Sequence, residues 1–510
     1  MMGGVKRRKP TPNAEAPRLP LSLRLGGKLL GDRHLPLTTY HLPPITYPLS
    51  FEPTFAPLIR FFTIYRREMK QALRLAYPII LGQVGIMLMG VADTVMVGSL
   101  GREVLAASVA ANNIFWLVYF LGMGILFAIS PLVAIYSGEG RPEKGYLSYR
   151  AGIWVTVGLS LVLFALLEGI VSNIGWLHQS KEVEPLASSF LRILNYSGLP
   201  MLLFVSSRQF TDGLGFTKVA MYITGGGLLL NIFLNWVLIY GNLGFDAMGL
   251  DGAAYATLSS RILMALIAMA YIRYAPSMKV YHPEQRFSTN EIREEAGRVF
   301  EVGLPIGLQF FAEVACFAFS GIMAGWVNAT HQSAHGIALN LASLTYMAAS
   351  GLSAAGSIMV GNAFGEKNKR KVRRAANAVM VMVLLYMFVT AILFLVFRGP
   401  LARAYTDDMQ VVGVAAVLLI YAALFQLADG VQAVSLGLLR GIKDVRIPSI
   451  ALVICYWLVG LPLGWWLGFG AGMDTEGIWI GFTVGLFLTA IFAATRFYLQ
   501  VKKLFPTTYP

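Results

Sequence analysis

Twelve apolar runs of roughly the length that spans a bilayer constrain this chain more than any other feature. They fall near residues 75–98, 106–135, 148–171, 187–210, 219–240, 251–274, 300–327, 335–360, 376–397, 411–436, 447–469 and 476–499. A hydrocarbon layer offers backbone N–H and C=O groups no partner but each other, so an apolar run of about 20 residues crosses it as a helix. Barrel strands would alternate over about ten residues, and these runs are too long and too continuous for that. The expected fold is an all-α integral membrane protein with twelve transmembrane helices. Composition agrees: 56% of the 510 residues are hydrophobic and 13% charged, against about 25% charged in a soluble domain. The mean hydropathy is +0.62.

Lysine and arginine in the connecting loops set the orientation. Loops after the even-numbered runs hold Arg141 and Lys144, then Arg208 and Lys218, then Lys279, Arg286, Arg293 and Arg298, then GEKNKRKVRR at 365–374, then Arg440, Lys443 and Arg446. Loops after the odd-numbered runs hold only Arg102, Lys181, Arg398 and Arg403. Both termini are expected in the cytoplasm, with the chain a multi-pass protein of the plasma membrane, the inner membrane in a bacterium. The net charge of +14 is then a topology signal, and no nucleic-acid partner is implied.

Residues 1–68 stand apart. They are rich in proline, carry KRRK at 6–9 and lack an apolar h-region ending in small residues, which argues against a signal peptide. They are expected to be a disordered extension or a mis-assigned start, with Met69 the initiator in the second case. The basic, amphipathic stretch 65–78 leads in, and Pro78 is expected to open the first span. Cys316 and Cys455 both fall inside spans without metal or redox spacing, so packing thiols are expected, with no disulfide and no zinc.

Shifting the sequence by 227 residues pairs Pro78 with Pro305, Asn113 with Asn340, Tyr119 with Tyr346, Gly124 with Gly351, Ser130 with Ser357, and Gly138-Glu139 with Gly365-Glu366. One residue further, Gly213 meets Gly441. Six helices occur twice. Since an even number of spans separates the copies, the repeats are parallel, related by an axis along the membrane normal, and are expected to form two bundles around a central cavity. The expected division is a six-helix bundle at 69–275, a cytoplasmic linker at 276–299 and a second six-helix bundle at 300–510.

Three acids lie within spans: Asp93 in GVADTVMVG, Glu313 in FFAEVACF and Asp429 in FQLADGVQ. A charge at that depth costs on the order of 3 kcal/mol on insertion scales and marks a cavity or an ion pathway. No lysine or arginine is expected deep in a span to pair with them, which leaves protonation or a bound cation to neutralise them. Helical spacing sets Gln309 one turn before Glu313, Gln426 and Gln432 on either side of Asp429, and Phe425 one turn before it. Asn231 and Asn235 share a face and suit a hard cation near Asp93; interhelical hydrogen bonding is the plainer role for these amides. His335 reads as a packing histidine.

VADTVMVG, FFAE, SAHGIALN at 333–340, LADGVQ and GLLRGIKD at 437–444 together resemble the multidrug and toxic compound extrusion (MATE) family, in its NorM-type branch, over roughly residues 70–500. The resemblance implies a V-shaped cavity between two bundles, alternating access, and export of cationic amphipathic compounds against an inward Na⁺ or H⁺ gradient, by a monomer with no cofactor beyond the coupling ion and with no enzymatic step. It implies Glu313 and Asp429 as the cation site, a possible Na⁺ site, and Asp93 with Asn231 and Asn235 as the polar site of the first bundle. Asn340, in SAHGIALN, joins the candidate substrate-contacting residues. NorM-type proteins tend to carry tyrosine where Phe425 stands. A flippase for lipid-linked precursors is the alternative of related architecture; a pyrophosphate head group would favour arginines in the cavity. An intramembrane enzyme would need a nucleophile with its base, or HExxH, and neither motif occurs.

Overall fold

A computed structural model describes residues 56–173, 183–283 and 287–506, with side chains from residue 63. Residues 1–55 of the N-terminal extension, and the loop residues Lys181 and Arg286, lie outside the described residues. The order is α1 (Ala56–Gly98), α2 (Arg102–Leu126), α3 (Ile129–Gly138), α4 (Pro142–Ser172), α5 (Val183–Tyr196), α6 (Gly198–Gly213), α7 (Thr217–Tyr240), α8 (Gly249–Tyr274), α9 (Thr289–Val327), α10 (Ala329–Gly365), α11 (Lys369–Arg403), α12 (Met409–Gly441), α13 (Arg446–Val453), α14 (Leu461–Trp465) and α15 (Asp474–Leu504). Among the described residues, eleven helical segments are long and apolar enough to cross a bilayer. Residues 183–213 make the twelfth crossing as two shorter pieces.

That break has a local cause. Pro200 has no N–H for the Tyr196 carbonyl and its ring crowds it, and the Ser197 hydroxyl donates to the Leu194 carbonyl at 2.6 Å. Gly198 lies against the Tyr119 phenol so closely that any Cβ there would overlap it. Pro78, by contrast, does not open a span. It lies inside α1, and its repeat mate Pro305 lies inside α9. The basic lead-in is the start of α1, and residues 289–299 are the first turns of α9, behind a Ser288–Glu291 capping box.

The 227-residue register reappears in three dimensions. A Cβ on Gly124 would lie 2.6 Å from the Gly307 Cα, and one on Gly351 would overlap Ile80, the repeat mate of Gly307. Gly138 abuts the Asn362 carbonyl, and Gly365 abuts the carbonyl of Ile135, the repeat mate of Asn362. With the one-residue shift, Gly213 and Gly441 pack on the carbonyls of Ser130 and Ser357, which are themselves repeat mates, at 2.7 and 2.8 Å from a would-be Cβ. Small residues let backbones approach where no hydrophobic force drives helices together. The Gly138 and Gly365 contacts join the halves at the ends that carry the basic loops.

The halves also exchange their leading turns. Ala72, Leu75, Ala76 and Ile79 of α1 belong to the apolar core built by α9–α15, whereas Ile292 and Val299 of α9 belong to the core built by α2–α6 and α8. Glu68 reaches Arg374 on α11 at 3.9 Å. Its repeat mate Glu295 is buried in the first half, accepting from Ser148, from Tyr136 at 3.3 Å and from Arg298 at 3.0 Å. Lys443, from the second half, lies 5.4 Å from the Tyr136 ring centre; burial pulls its ammonium below the usual lysine range while Glu139 and Glu295 oppose that shift.

The last two spans pack differently. Residues 454–460 and 466–470 are wound as π-helix around Pro462, and Gly460, Gly464 and Gly468 meet Gly485, Gly481 and Gly477 of α15 backbone to backbone.

Candidate substrate and cation sites

In the first half, α7 and α8 pack side by side and present one-turn pairs toward α1: Asn231 with Asn235, and Thr257 with Arg261. Asp93 of α1 is half-buried among them. The Asn235 amide donates to Asp93 Oδ1 at 2.6 Å, and the Thr257 hydroxyl donates to Oδ2 at 3.1 Å. Asn231 donates to Thr257 and accepts from Asn235, each at 3.4 Å. The two asparagines therefore lie beside Asp93 as expected, but Asn235 presents its N–H₂ to the acid, and among the described residues its own oxygen has no hydrogen-bond partner.

The expectation that no basic residue lies deep in a span fails at Arg261. It sits in the middle of α8, lines the same cavity as Asp93, and donates to Ser197 at 2.6 Å. Its guanidinium lies 4.8 Å from the Phe115 ring centre and 5.7 Å from that of Trp116. Two aromatic faces and the hydroxyl at the α5–α6 break keep the cation tolerable at this depth. The cavity measures about 80 Å³, has Met89, Met123, Met201 and Met264 in its walls, and shares Gly90, Asn112 and Trp116 with an open pocket of about 360 Å³ between α1 and α2.

In the second half, α9 supplies Gln309 and Glu313, one turn apart, and α12 supplies Phe425, Gln426, Asp429 and Gln432; all six are buried. Gln432 bridges: its amide donates to Glu313 Oε1 at 3.1 Å, and its oxygen accepts from the Tyr456 hydroxyl at 3.1 Å. Gln309 accepts from Ser449 at 3.3 Å. Asp429 is close enough to Glu313 for the two charges to repel, and among the described residues no hydrogen bond or ion pair to its carboxylate is found. Arg440 acts on Glu313 from a distance while donating to Ser353 at 3.1 Å and lying over the Phe310 ring.

Not every candidate joins these clusters. Gln426 turns to α11, where its oxygen accepts from Thr390 at 2.5 Å. Asn340 is exposed on α10 and accepts from Tyr405 at 2.8 Å. Phe425 packs edge-on against Phe317 and Trp479. His335 shares a hydrogen bond with Ser320 at 3.1 Å, as a packing histidine would, and among the described residues its Nδ1 has no partner. Thr257, Arg261, Tyr456 and Tyr346, whose phenol lies near both second-half acids, were not expected at these sites from sequence, and Arg440, expected in a loop, lies in the last turn of α12. Arg261 was detectable as a charge at mid-span, and Tyr346 as the repeat mate of Tyr119. Tyr456 gave no signal, because one tyrosine in an aromatic span resembles any other.

Two parallel repeats with acids in the wall of each define a membrane transporter of the two-bundle kind. The chain belongs to the MATE family: the MatE family profile matches residues 78–237 and again 305–466, one match per repeat, and the relatives belong to its NorM branch. A protein from Agrobacterium fabrum (strain C58) named "Probable multidrug resistance protein NorM" is 35% identical over 445 residues, covering 85% of this chain and 94% of the relative. "Multidrug resistance protein MdtK" of Proteus mirabilis is 34% identical, covering 85% and 95%. Among solved structures, the eukaryotic MATE transporter AtDTX14 superposes with a TM-score of 0.79 at 22% identity, covering 86% of this chain and 99% of that one. An outward-facing multidrug resistance MATE transporter gives 0.77 at 22% identity, covering 86% and 96%.

Proposed function

We propose that this protein exports cationic, amphipathic compounds by Na⁺- or H⁺-coupled antiport. The observation that carries the reading is Asp429, a buried carboxylate with no hydrogen bond or ion pair among the described residues, set beside Glu313. Two like charges in a low-dielectric wall require a proton or a cation between them. The donors present suit either: carboxylate oxygens from Glu313 and Asp429 are hard ligands for Na⁺, and each is also a proton acceptor. When bound, the ion supplies the positive charge that lets both acids remain buried. Gln432, held by Tyr456, orients the Glu313 carboxylate.

Ion and substrate then compete for the same negative charge, and each shifts the carrier only by its differential affinity for the two arrangements of the halves. The bundles are 69–275 and 300–510, joined through 276–299, and the basic loops and both termini face the cytoplasm of a plasma membrane. With that orientation, the glycine contacts close the cytoplasmic end, and the pocket beside Asp93 opens outward. The methionine-lined wall suits flat hydrophobic cations of varied shape. The family and the names of the relatives support multidrug export; the monomeric state and the lack of an enzymatic step rest on the family alone.

Proteoliposomes loaded with ethidium test this under separately imposed Na⁺ and H⁺ gradients. Efflux driven by one gradient and lost in Glu313→Gln and Asp429→Asn supports the reading and names the ion. Efflux indifferent to both substitutions overturns it. One observation favours the flippase alternative: Arg261 lies in a cavity wall, as an anionic head group would require. Its ties to Ser197, Phe115 and Trp116 and its nearness to Asp93 favour a structural counter-charge. Absence of dye efflux together with scrambling of a pyrophosphate lipid would reverse that judgement.

A further inference from the structure

Helices α4 and α8 both pack on α6 but not closely on each other. The gap between them is a groove of about 480 Å³ on the outer surface of the first half, away from both acid sites. Its floor and walls are apolar and aromatic, with Leu266 and Met269 on α8 and Tyr146 and Trp154 on α4. Arg150 and Arg273 stand in the same lining. Both are exposed, and among the described residues neither is in an ion pair. The Arg273 guanidinium lies 5.9 Å from the centre of the neighbouring Tyr274 ring.

Depth decides what such a groove can hold. The 31 residues of α4 extend about 46 Å, roughly 8 Å beyond each face of a hydrocarbon layer about 30 Å thick. Centred in that layer, α4 sets the Arg150 backbone, eight residues from its start, about 4 Å inside the hydrocarbon boundary on the basic-loop side, from where its long side chain snorkels to the head groups. The 26 residues of α8 extend about 39 Å, which brings Arg273, at its penultimate position, just outside the same boundary. Two unpaired guanidinium groups therefore sit at head-group height, with apolar walls running below them toward the midplane. Bare topology signalling needs neither the groove nor the depth.

We propose that this groove binds one anionic phospholipid from the leaflet on the basic-loop side. Arg150 and Arg273 hold the phosphate, planar guanidinium groups being suited to phosphate oxygens. Leu266, Met269 and Trp154 receive an acyl chain. The site lies outside the transport pathway, so it would stand even if the export reading failed.

Phosphatidylglycerol is the probe. The purified full chain, stripped of lipid in detergent, is titrated with phosphatidylglycerol and separately with phosphatidylcholine, and bound lipid is counted by native mass spectrometry. A phosphatidylglycerol with a photoreactive acyl chain maps the position. The expected result is one retained phosphatidylglycerol that phosphatidylcholine does not replace, with crosslinks on α4 and α8. Affinity should fall about thirtyfold in Arg150→Ala/Arg273→Ala, at roughly fivefold per arginine, and largely persist in Arg150→Lys/Arg273→Lys. Met269→Trp, which fills the groove without changing charge, should remove the crosslinks even if the double variant misfolds. Arg370→Ala/Arg373→Ala, which removes the same charge elsewhere, should change nothing. Equal retention of phosphatidylcholine, crosslinks confined to other helices, or displacement of the lipid by inorganic phosphate at equal concentration would each overturn the proposal.

Discussion

The acid sites of the two halves share one repeat-related pair of helices, α1 and α9, and surround their acids in different ways. Asp93 receives hydrogen bonds from Asn235 and Thr257 and has the Arg261 guanidinium in the wall of its own cavity. Glu313 receives one from Gln432, and Asp429 none among the described residues; the nearest cation, Arg440, is engaged with Ser353. The repeat register shows how the halves diverged: Arg440 stands where the first half has Asp212, itself paired with Arg208 at 3.4 Å. One backbone plan thus supports a first half with a guanidinium in the wall of its acid's cavity and a second half in which Asp429 has no ion pair or hydrogen bond among the described residues.

Removing acids tests that contrast hardest. In gradient-driven ethidium efflux, Asp429→Asn should reduce transport to that of empty vesicles, whereas Asp93→Asn should leave measurable, gradient-dependent efflux with altered substrate preference. The opposite ranking would place the coupling site in the first half. Next in size is Arg261→Met. Arg261 stands in the wall of the Asp93 cavity, and leaving a buried polar group without its partner costs on the order of 1–3 kcal/mol, so the melting temperature in detergent should drop by several degrees, and Asp93→Asn/Arg261→Met should recover part of it. Absence of recovery would mean that Arg261 serves Ser197 and the rings rather than the acid.

Smaller effects probe what the halves share. Gly138→Ala and Gly365→Ala each force a Cβ into a carbonyl of the other half, and overpacking of this kind costs typically 1–3 kcal/mol. Both should shift the carrier toward opening at the basic-loop end by similar amounts, read as spin-label distances across that end; a response from only one would show that the pseudo-twofold contact does not act as a pair. The smallest change is expected at Lys367 and Lys443. They hold left-handed φ values of 56° and 62° where the first half uses Gly140 and Gly215. Glycine there relieves about 1 kcal/mol of steric cost but adds freedom to the unfolded chain, so Lys367→Gly and Lys443→Gly should move thermal stability by less than about 1 kcal/mol.

Much of this architecture was legible in the chain. Spans follow from the incompatibility of bare backbone with hydrocarbon, and the repeat from glycines and prolines whose spacing survived because the contacts they permit tolerate no side chain. That Asn231 and Asn235 share a face was legible because helical spacing puts them there; the amide hydrogen bond from Asn235 to Asp93, on another helix, was not. Gln426 and Asn340 show the limit of that reasoning: spacing gives a face, but which neighbour the face meets depends on the crossing of another helix. Pro78 shows another, since proline can open a helix or lie within one, and only the packing of α1 against the second half chose between them.

By itself the sequence determined that the chain crosses a membrane about a dozen times, in two parallel copies, with acids in the wall of each. Local propensity and the cost of burying charge are sufficient for that, because both act residue by residue. The exchange of leading turns between halves, the twin glycine contacts, the placing of Asp93 and Arg261 in the wall of one cavity and the isolation of Asp429 were decided only by tertiary structure. Each depends on which groups come within a few ångströms across helices far apart in the chain, where electrostatic and packing energies change over distances shorter than one helical turn.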